Sequence, residues 1–132
     1  MTPVRPKRWC VRAVSVAGDP LRLTCNDRPL EDKTGSISPV EYLLISVASC
    51  FALSCRMALE ERQLAVDSLA VIVRGSKALD MPSRLGSIDI EVELPNGLGR
   101  DADAIVRRAK LLCTVTNTLA QALKLEVQVR TG

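Results

Sequence analysis

Five cysteines, at positions 10, 25, 50, 55 and 113, carry most of the latent chemistry of this chain, because it contains no histidine. Without histidine the usual general base, the commonest metal ligand and the Ser-His and Cys-His catalytic pairs are all missing. What remains is sulfur chemistry. A thiolate is a nucleophile, its oxidation gives a sulfenic acid, and a sulfenic acid condenses with a nearby thiol to a disulfide. No two cysteines form a C-x-x-C, and a zinc site would need thiolates or carboxylates from scattered positions, so structural zinc is not expected. Each cysteine also has a plainer reading as an inert packing residue, since cysteine is among the most buried residue types.

A reactive cysteine needs a cation or a helix terminus to lower its pKa. Cys50 falls about three turns into its helix, where the dipole helps little, so it needs a neighbouring arginine. Cys113 falls where one helix ends and the next begins, a better place for helix-terminal activation.

The elements that must position these residues are legible in outline. Residues 9–16 and 21–25 read as strands joined through Gly18-Asp19-Pro20, a plausible hairpin turn. Residues 28–37 are polar and read as a loop. Ser38-Pro39-Val40-Glu41 then carries a capping-box pattern, with proline at the first helical position, and the helix it opens should reach about Arg62. That helix is apolar nearly all round, as a helix buried on several sides must be. Residues 66–74 and 84–94 alternate as strands, with Ile88, Ile90, Val92 and Leu94 inward on the second. A helix follows, running through Ala104, Ile105, Ala109 and Leu112, with Asp101 and Asp103 near its start, where they suit the positive end of the dipole. A short helix over 115–123 and a last strand over 125–130 complete the order β-β-α-β-β-α-α-β. Strands clustered in pairs around helices imply an α+β fold with a largely antiparallel sheet.

Composition narrows the field. The 132 residues suit one domain, 1–132. With 47% hydrophobic and 25% charged residues, disorder is not expected. One Trp, one Tyr and one Phe cannot supply the stacking platforms that grip single-stranded nucleic acid. The net charge of +3 is mild, and Arg5, Lys7 and Arg8 read as a solvated tail rather than a phosphate-binding arm, so no nucleic-acid partner is expected. The longest uncharged apolar stretch, 42–55, is too short to span a bilayer, and no membrane partner is expected. No secretory signal is visible, and five cysteines then point to the reducing cytoplasm.

The stretch Ser38-Pro39-Val40-Glu41-Tyr42-Leu43-Leu44-Ile45-Ser46-Val47-Ala48-Ser49-Cys50-Phe51 resembles the signature helix of the OsmC and organic hydroperoxide resistance family. There, a Pro-x-Glu-x-Leu start leads through small and apolar residues to a cysteine. The family's second element, Cys-Pro-Val-x-x-x-Leu, is similar to Cys113-Thr114-Val115-Thr116-Asn117-Thr118-Leu119. The resemblance covers nearly the whole chain and implies an OsmC-like fold with a central buried helix. It also implies a peroxidase in which Cys50 attacks the peroxide and Cys113 resolves the sulfenic acid as a disulfide. The implied partners are a hydroperoxide substrate and a dithiol electron donor, with no bound cofactor.

In that family an arginine from the region before the helix and a glutamate near its start activate the cysteine. Here Glu41 is the acidic candidate, and Arg28 is the nearest loop arginine, with Arg22 as the strand alternative. At about 100° per residue Glu41 falls roughly opposite Cys50, and it also serves as the capping residue. Val40 and Thr114 depart from the family pattern, which has a glutamate and a proline at those positions. Cys55, about 140° round the helix from Cys50, reads as packing.

A helix apolar on so many faces exceeds what a few short strands can cover, which implies an intertwined homodimer. In such a dimer the partner's Arg28 or Arg22 would supply the missing cation. Two alternatives share the fold: a non-catalytic protein binding a small hydrophobic ligand at the dimer interface, and a thiol redox sensor.

Overall fold

A computed structural model describes residues 5–30 and 37–131. The first strand, β1 (Arg8–Val16), turns Trp9, Val11, Ala13 and Ser15 to the interior and leaves the residues between them on the other face. β2 (Arg22–Cys25) pairs antiparallel with it, setting Cys25 opposite Val11 and therefore inside. Asn26 and Asp27 both adopt positive φ, 49° and 65°. That pair of left-handed residues makes a tight two-residue turn into β3 (Arg28–Pro29), so part of the expected loop is a short edge strand. The rest of that loop, 31–36, lies outside the described residues.

On its other side β1 pairs with β4 (Ser68–Lys77), which pairs in turn with β5 (Leu85–Glu93). The sheet order is β3-β2-β1-β4-β5, antiparallel throughout. This is the expected α+β architecture. β4 is central and buried on both faces from Leu69 to Val73, although its sequence alternation marks only one of them. Ion pairs line the outer face, Arg74 with Glu91 at 2.9 Å and Arg12 with Glu93 at 2.9 Å. Such exposed pairs add little stability each; Arg74–Glu91 joins the neighbouring strands β4 and β5 and favours their register, whereas Arg12–Glu93 reaches across β4 from β1 to β5.

The helix α1 (Pro39–Glu61) lies across the inner face. The Ser38 hydroxyl accepts from the Glu41 N–H at 3.3 Å, and the Glu41 carboxylate accepts from the Ser38 N–H at 3.0 Å. The capping box is therefore formed, with Pro39 where its missing N–H costs nothing. Leu44, Val47, Ala48, Phe51, Ala52 and Cys55 are buried against the sheet and α2. Gly75 lets α1 approach β4 closely: a Cβ there would stand 3.1 Å from the Leu44 side chain. Near the far end Arg56 donates to the Ser15 hydroxyl at 2.7 Å and the Val66 carbonyl at 2.6 Å, which ties α1 to the sheet's rim. The helix has the length and hydropathy of a membrane span, yet here it is the core helix of the sheet.

After a turn of 3-10 helix at Asn96–Leu98, α2 (Asp101–Leu112) packs on α1 through Ile105 and Ala109. Arg108 grips Glu61 with two hydrogen bonds, at 2.8 and 2.9 Å. α3 (Thr114–Leu119) follows directly and is shorter than the expected 115–123.

The expected last strand over 125–130 is not formed. Leu125, Val127 and Val129 stand 87%, 93% and 86% exposed, in a segment without regular structure. Its alternating apolar pattern is real, but among the described residues no strand pairs with it. Among those residues only β4 pairs with β5, which leaves the other edge of β5 free.

Candidate functional site

Cys50 sits on the face of α1 turned away from the sheet, half-buried, beside the junction of α2 and α3. Cys113 is that junction: it ends α2 and begins α3 in an extended conformation. Its N–H donates to the Ala109 carbonyl at 2.9 Å, and its own carbonyl accepts from the Asn117 N–H at 3.1 Å. Asn117 also donates through its side chain to the Leu111 carbonyl at 3.1 Å. Both helices thus hold the Cys113 backbone, and its side chain is fully buried.

The thiols of Cys50 and Cys113 lie close enough to influence one another's ionisation. Two backbone N–H groups at the start of α3, those of Val115 and Thr114, also lie near the Cys50 sulfur. Burial pushes the Cys50 thiol above its ordinary value. The Val115 N–H pulls against that shift, the Cys113 thiol adds to it, and the Thr114 N–H again favours the thiolate. Within one subunit, then, burial works against the Cys50 thiolate while two nearby backbone N–H groups favour it. These donors were not foreseen from side-chain types. The available signal was Thr114 itself: proline in that position has no N–H to give.

Cys55, fully buried, is driven up to about 12, chiefly by burial. It is a packing residue, as its position round the helix implied.

Glu41 and Arg28 form a second cluster on the other side of α1. Glu41 is buried and held by Ser38, and the Cys25 thiol lies near its carboxylate. The Ser38 N–H is the main cause holding the Glu41 pKa below the carboxylate range, with the Arg28 charge contributing. Burial first, and Glu41 second, push the Cys25 thiol up, while Arg28 opposes them. The structure therefore brings Cys50 to Cys113, and Glu41 to Arg28, but does not bring the two pairs together in one subunit. Arg22, exposed at the start of β2, is in neither cluster.

A cleft of about 320 Å³ opens between β5, α1 and α3, lined by Val47, Leu85, Ile88, Ile90, Thr116 and Leu119 among others. Val47 lies about one turn before Cys50 and Thr116 next to Val115, which places the cleft close to the thiol pair, although neither thiol lines it.

Residues 31–128 match the family described as OsmC-like protein. The fold is similar to that of an OsmC-like hydroperoxide resistance protein from Jannaschia sp. CCS1, at 17% identity and a TM-score of 0.70, covering 95% of each chain. It is similar as well to an organic hydroperoxide resistance protein OsmC from Legionella pneumophila, at 14% identity and a TM-score of 0.57, covering 82% of this chain and 88% of that one. An OsmC-like protein from Mycoplasma pneumoniae matches at 16% identity and a TM-score of 0.57, over 83% of this chain and 85% of that one. No curated protein matches the sequence. At such identities the solved structures speak for the fold.

Proposed function

This chain belongs to the OsmC-like family, and from that premise we propose that it is a cytoplasmic thiol peroxidase that reduces hydroperoxides through Cys50 and Cys113. The closeness of those two thiols carries the reading. The Cys50 thiolate attacks the distal oxygen of ROOH; the O–O bond breaks, RO⁻ leaves and takes up a proton, and Cys50 becomes a sulfenic acid. The Cys113 sulfur then attacks the Cys50 sulfur, expelling hydroxide, which leaves as water with the Cys113 proton. A dithiol donor reduces the resulting disulfide and is itself oxidised to a disulfide. Because Cys113 is fully buried and Cys50 is not, the donor attacks at the Cys50 sulfur.

The working unit in this proposal is a homodimer. Two observations support it. The outward face of α1 is apolar and open, with Leu43 37%, Leu53 57% and Met57 51% exposed on the stripe that carries Cys50. The C-terminal segment has the alternation of a strand and no neighbour, while β5 has a free edge. A second copy covers both, its 125–130 segment extending the sheet at β5. Crossed helices in such a dimer would let the partner's Arg28 and the partner's Glu41 face Cys50, supplying the charge that one subunit holds on the wrong side of α1.

The cleft beside the thiols favours one alternative, a carrier of a small apolar ligand without turnover. Purified protein given a hydroperoxide and a dithiol separates the two. A peroxidase consumes peroxide over many turnovers and loses this in Cys50→Ser; a carrier consumes none beyond its thiol content.

A further inference from the structure

Arg5, Lys7 and Arg8 read in sequence as a solvated tail, but the fold gives them neighbours. The Lys77 N–H donates to the Lys7 carbonyl at 2.8 Å, which lays the N-terminal segment beside the end of β4. Arg5, Pro6 and Lys7 then face the β4–β5 connection across a hollow of about 270 Å³, with Lys77, Leu79, Asp80 and Met81 on its far side. Two large apolar side chains stand at this tip with nothing over them, Leu79 at 69% and Met81 at 80% exposure. The one carboxylate there, Asp80, is taken by Arg84 at 3.0 Å. Arg5, Lys7 and Lys77 are exposed, and no salt bridge is formed by them among the described residues.

We propose that this end of the molecule docks on an anionic lipid bilayer, with Leu79 and Met81 entering the headgroup region while Arg5, Lys7 and Lys77 meet lipid phosphate. Charge complementarity selects the partner's sign, and the apolar tips select its kind. Cations alone would suit RNA equally well. Two exposed aliphatic side chains at the centre of the patch gain nothing from a phosphate backbone, and none of the residues lining the hollow is an aromatic ring that could stack on bases. At a bilayer both features contribute: each cation near an anionic surface favours binding by about five-fold, and buried aliphatic carbon adds to it. The surface also adjoins the apolar cleft, since Leu85, which pairs with Lys77, lines it.

Docking is read without peroxide, so it stands or falls apart from the thiol chemistry. The experiment is flotation of the full chain with vesicles of phosphatidylcholine alone, and of phosphatidylcholine mixed with phosphatidylglycerol. The protein should float with the mixed vesicles only, and high salt should release it. Lys7→Gln with Lys77→Gln should weaken binding about 25-fold, and Leu79→Ser with Met81→Ser about ten-fold or more. Circular dichroism of each double variant checks folding, and the salt titration of the unmodified chain is independent of the variants. No flotation with anionic vesicles would overturn the proposal. So would binding that ignores the apolar pair, or retention on RNA in its place.

Discussion

Glu41 and Cys50 lie on one helix and face opposite sides of it: the Glu41 carboxylate lies near the Cys25 thiol and Arg28, whereas the Cys50 sulfur lies near Cys113 and the first amides of α3. An acid and a nucleophile so placed serve one another only across a subunit boundary. That separation is the chemical reason for the homodimer we propose.

The first concerns which thiols can be reached. Cys55 and Cys113 are fully buried and Cys25 nearly so, while Cys10 and Cys50 are half-buried. Alkylation of the native reduced protein should therefore label Cys10 and Cys50 before the other three, and denaturation should expose all five. Mass spectrometry of the peptides reads the order; early labelling of Cys55 would mean that α1 does not pack as described.

Thr114 offers a sharper test of how the Cys50 thiolate is stabilised. Proline suits the first position of a helix and removes one N–H while leaving the fold intact. Cys113 already has the extended backbone that a following proline prefers. Thr114→Pro should thus raise the Cys50 pKa and move the pH profile of its reaction with peroxide to more alkaline values. Arg28→Ala should shift it the same way if the partner's Arg28 faces Cys50. An unchanged profile in Thr114→Pro would show that its N–H contributes nothing to the thiolate.

The capping box makes a stability prediction. Ser38→Ala removes the acceptor for the Glu41 N–H and should cost about 1 kcal/mol, lowering Tm by roughly 3–5 °C. Glu41 has a folded pKa held below its unfolded value, first by the Ser38 N–H. Its contribution is then fully present above the unfolded value, near 4.3, and is lost as pH falls through the folded one. Urea unfolding across that acid range should show the loss in the unmodified protein and less of it in Glu41→Gln.

Assembly is the fourth prediction. A chain cut before Lys124 and a full chain carrying Val127→Asp should both sediment as monomers near half the mass of the unmodified protein. In the unmodified protein Tm should rise with concentration, since folding and association are linked. A unmodified chain that sediments as a monomer at all concentrations would remove the dimer and leave Cys50 with the α3 amides alone.

What the sequence made legible followed from local rules. Ser38, Pro39 and Glu41 announced the start of α1 because capping is decided within one turn, and alternation at Ile88, Ile90 and Val92 announced β5 because one face is wet. The C-terminal segment alternates as well, yet forms no strand, because pairing needs a neighbouring strand and alternation alone does not supply one. Cys50 and Cys113 stood out through their surrounding motifs. The amides of Thr114 and Val115 did not, since backbone donors carry no side-chain signature, and the approach of Cys25 to Glu41 depends on a strand register that residue types do not specify.

The central claim is that Cys50 and Cys113 form the redox pair, and its most direct test is a disulfide map. Reduced protein is treated with one equivalent of an organic hydroperoxide, quenched with an alkylating agent, digested without reductant and analysed by mass spectrometry. The account predicts a Cys50–Cys113 linked peptide as the main product, absent from both Cys50→Ser and Cys113→Ser, with the latter accumulating Cys50 sulfenic or sulfinic acid. A main product linking Cys50 to Cys55, or a Cys50 that stays reduced while peroxide persists, would contradict it.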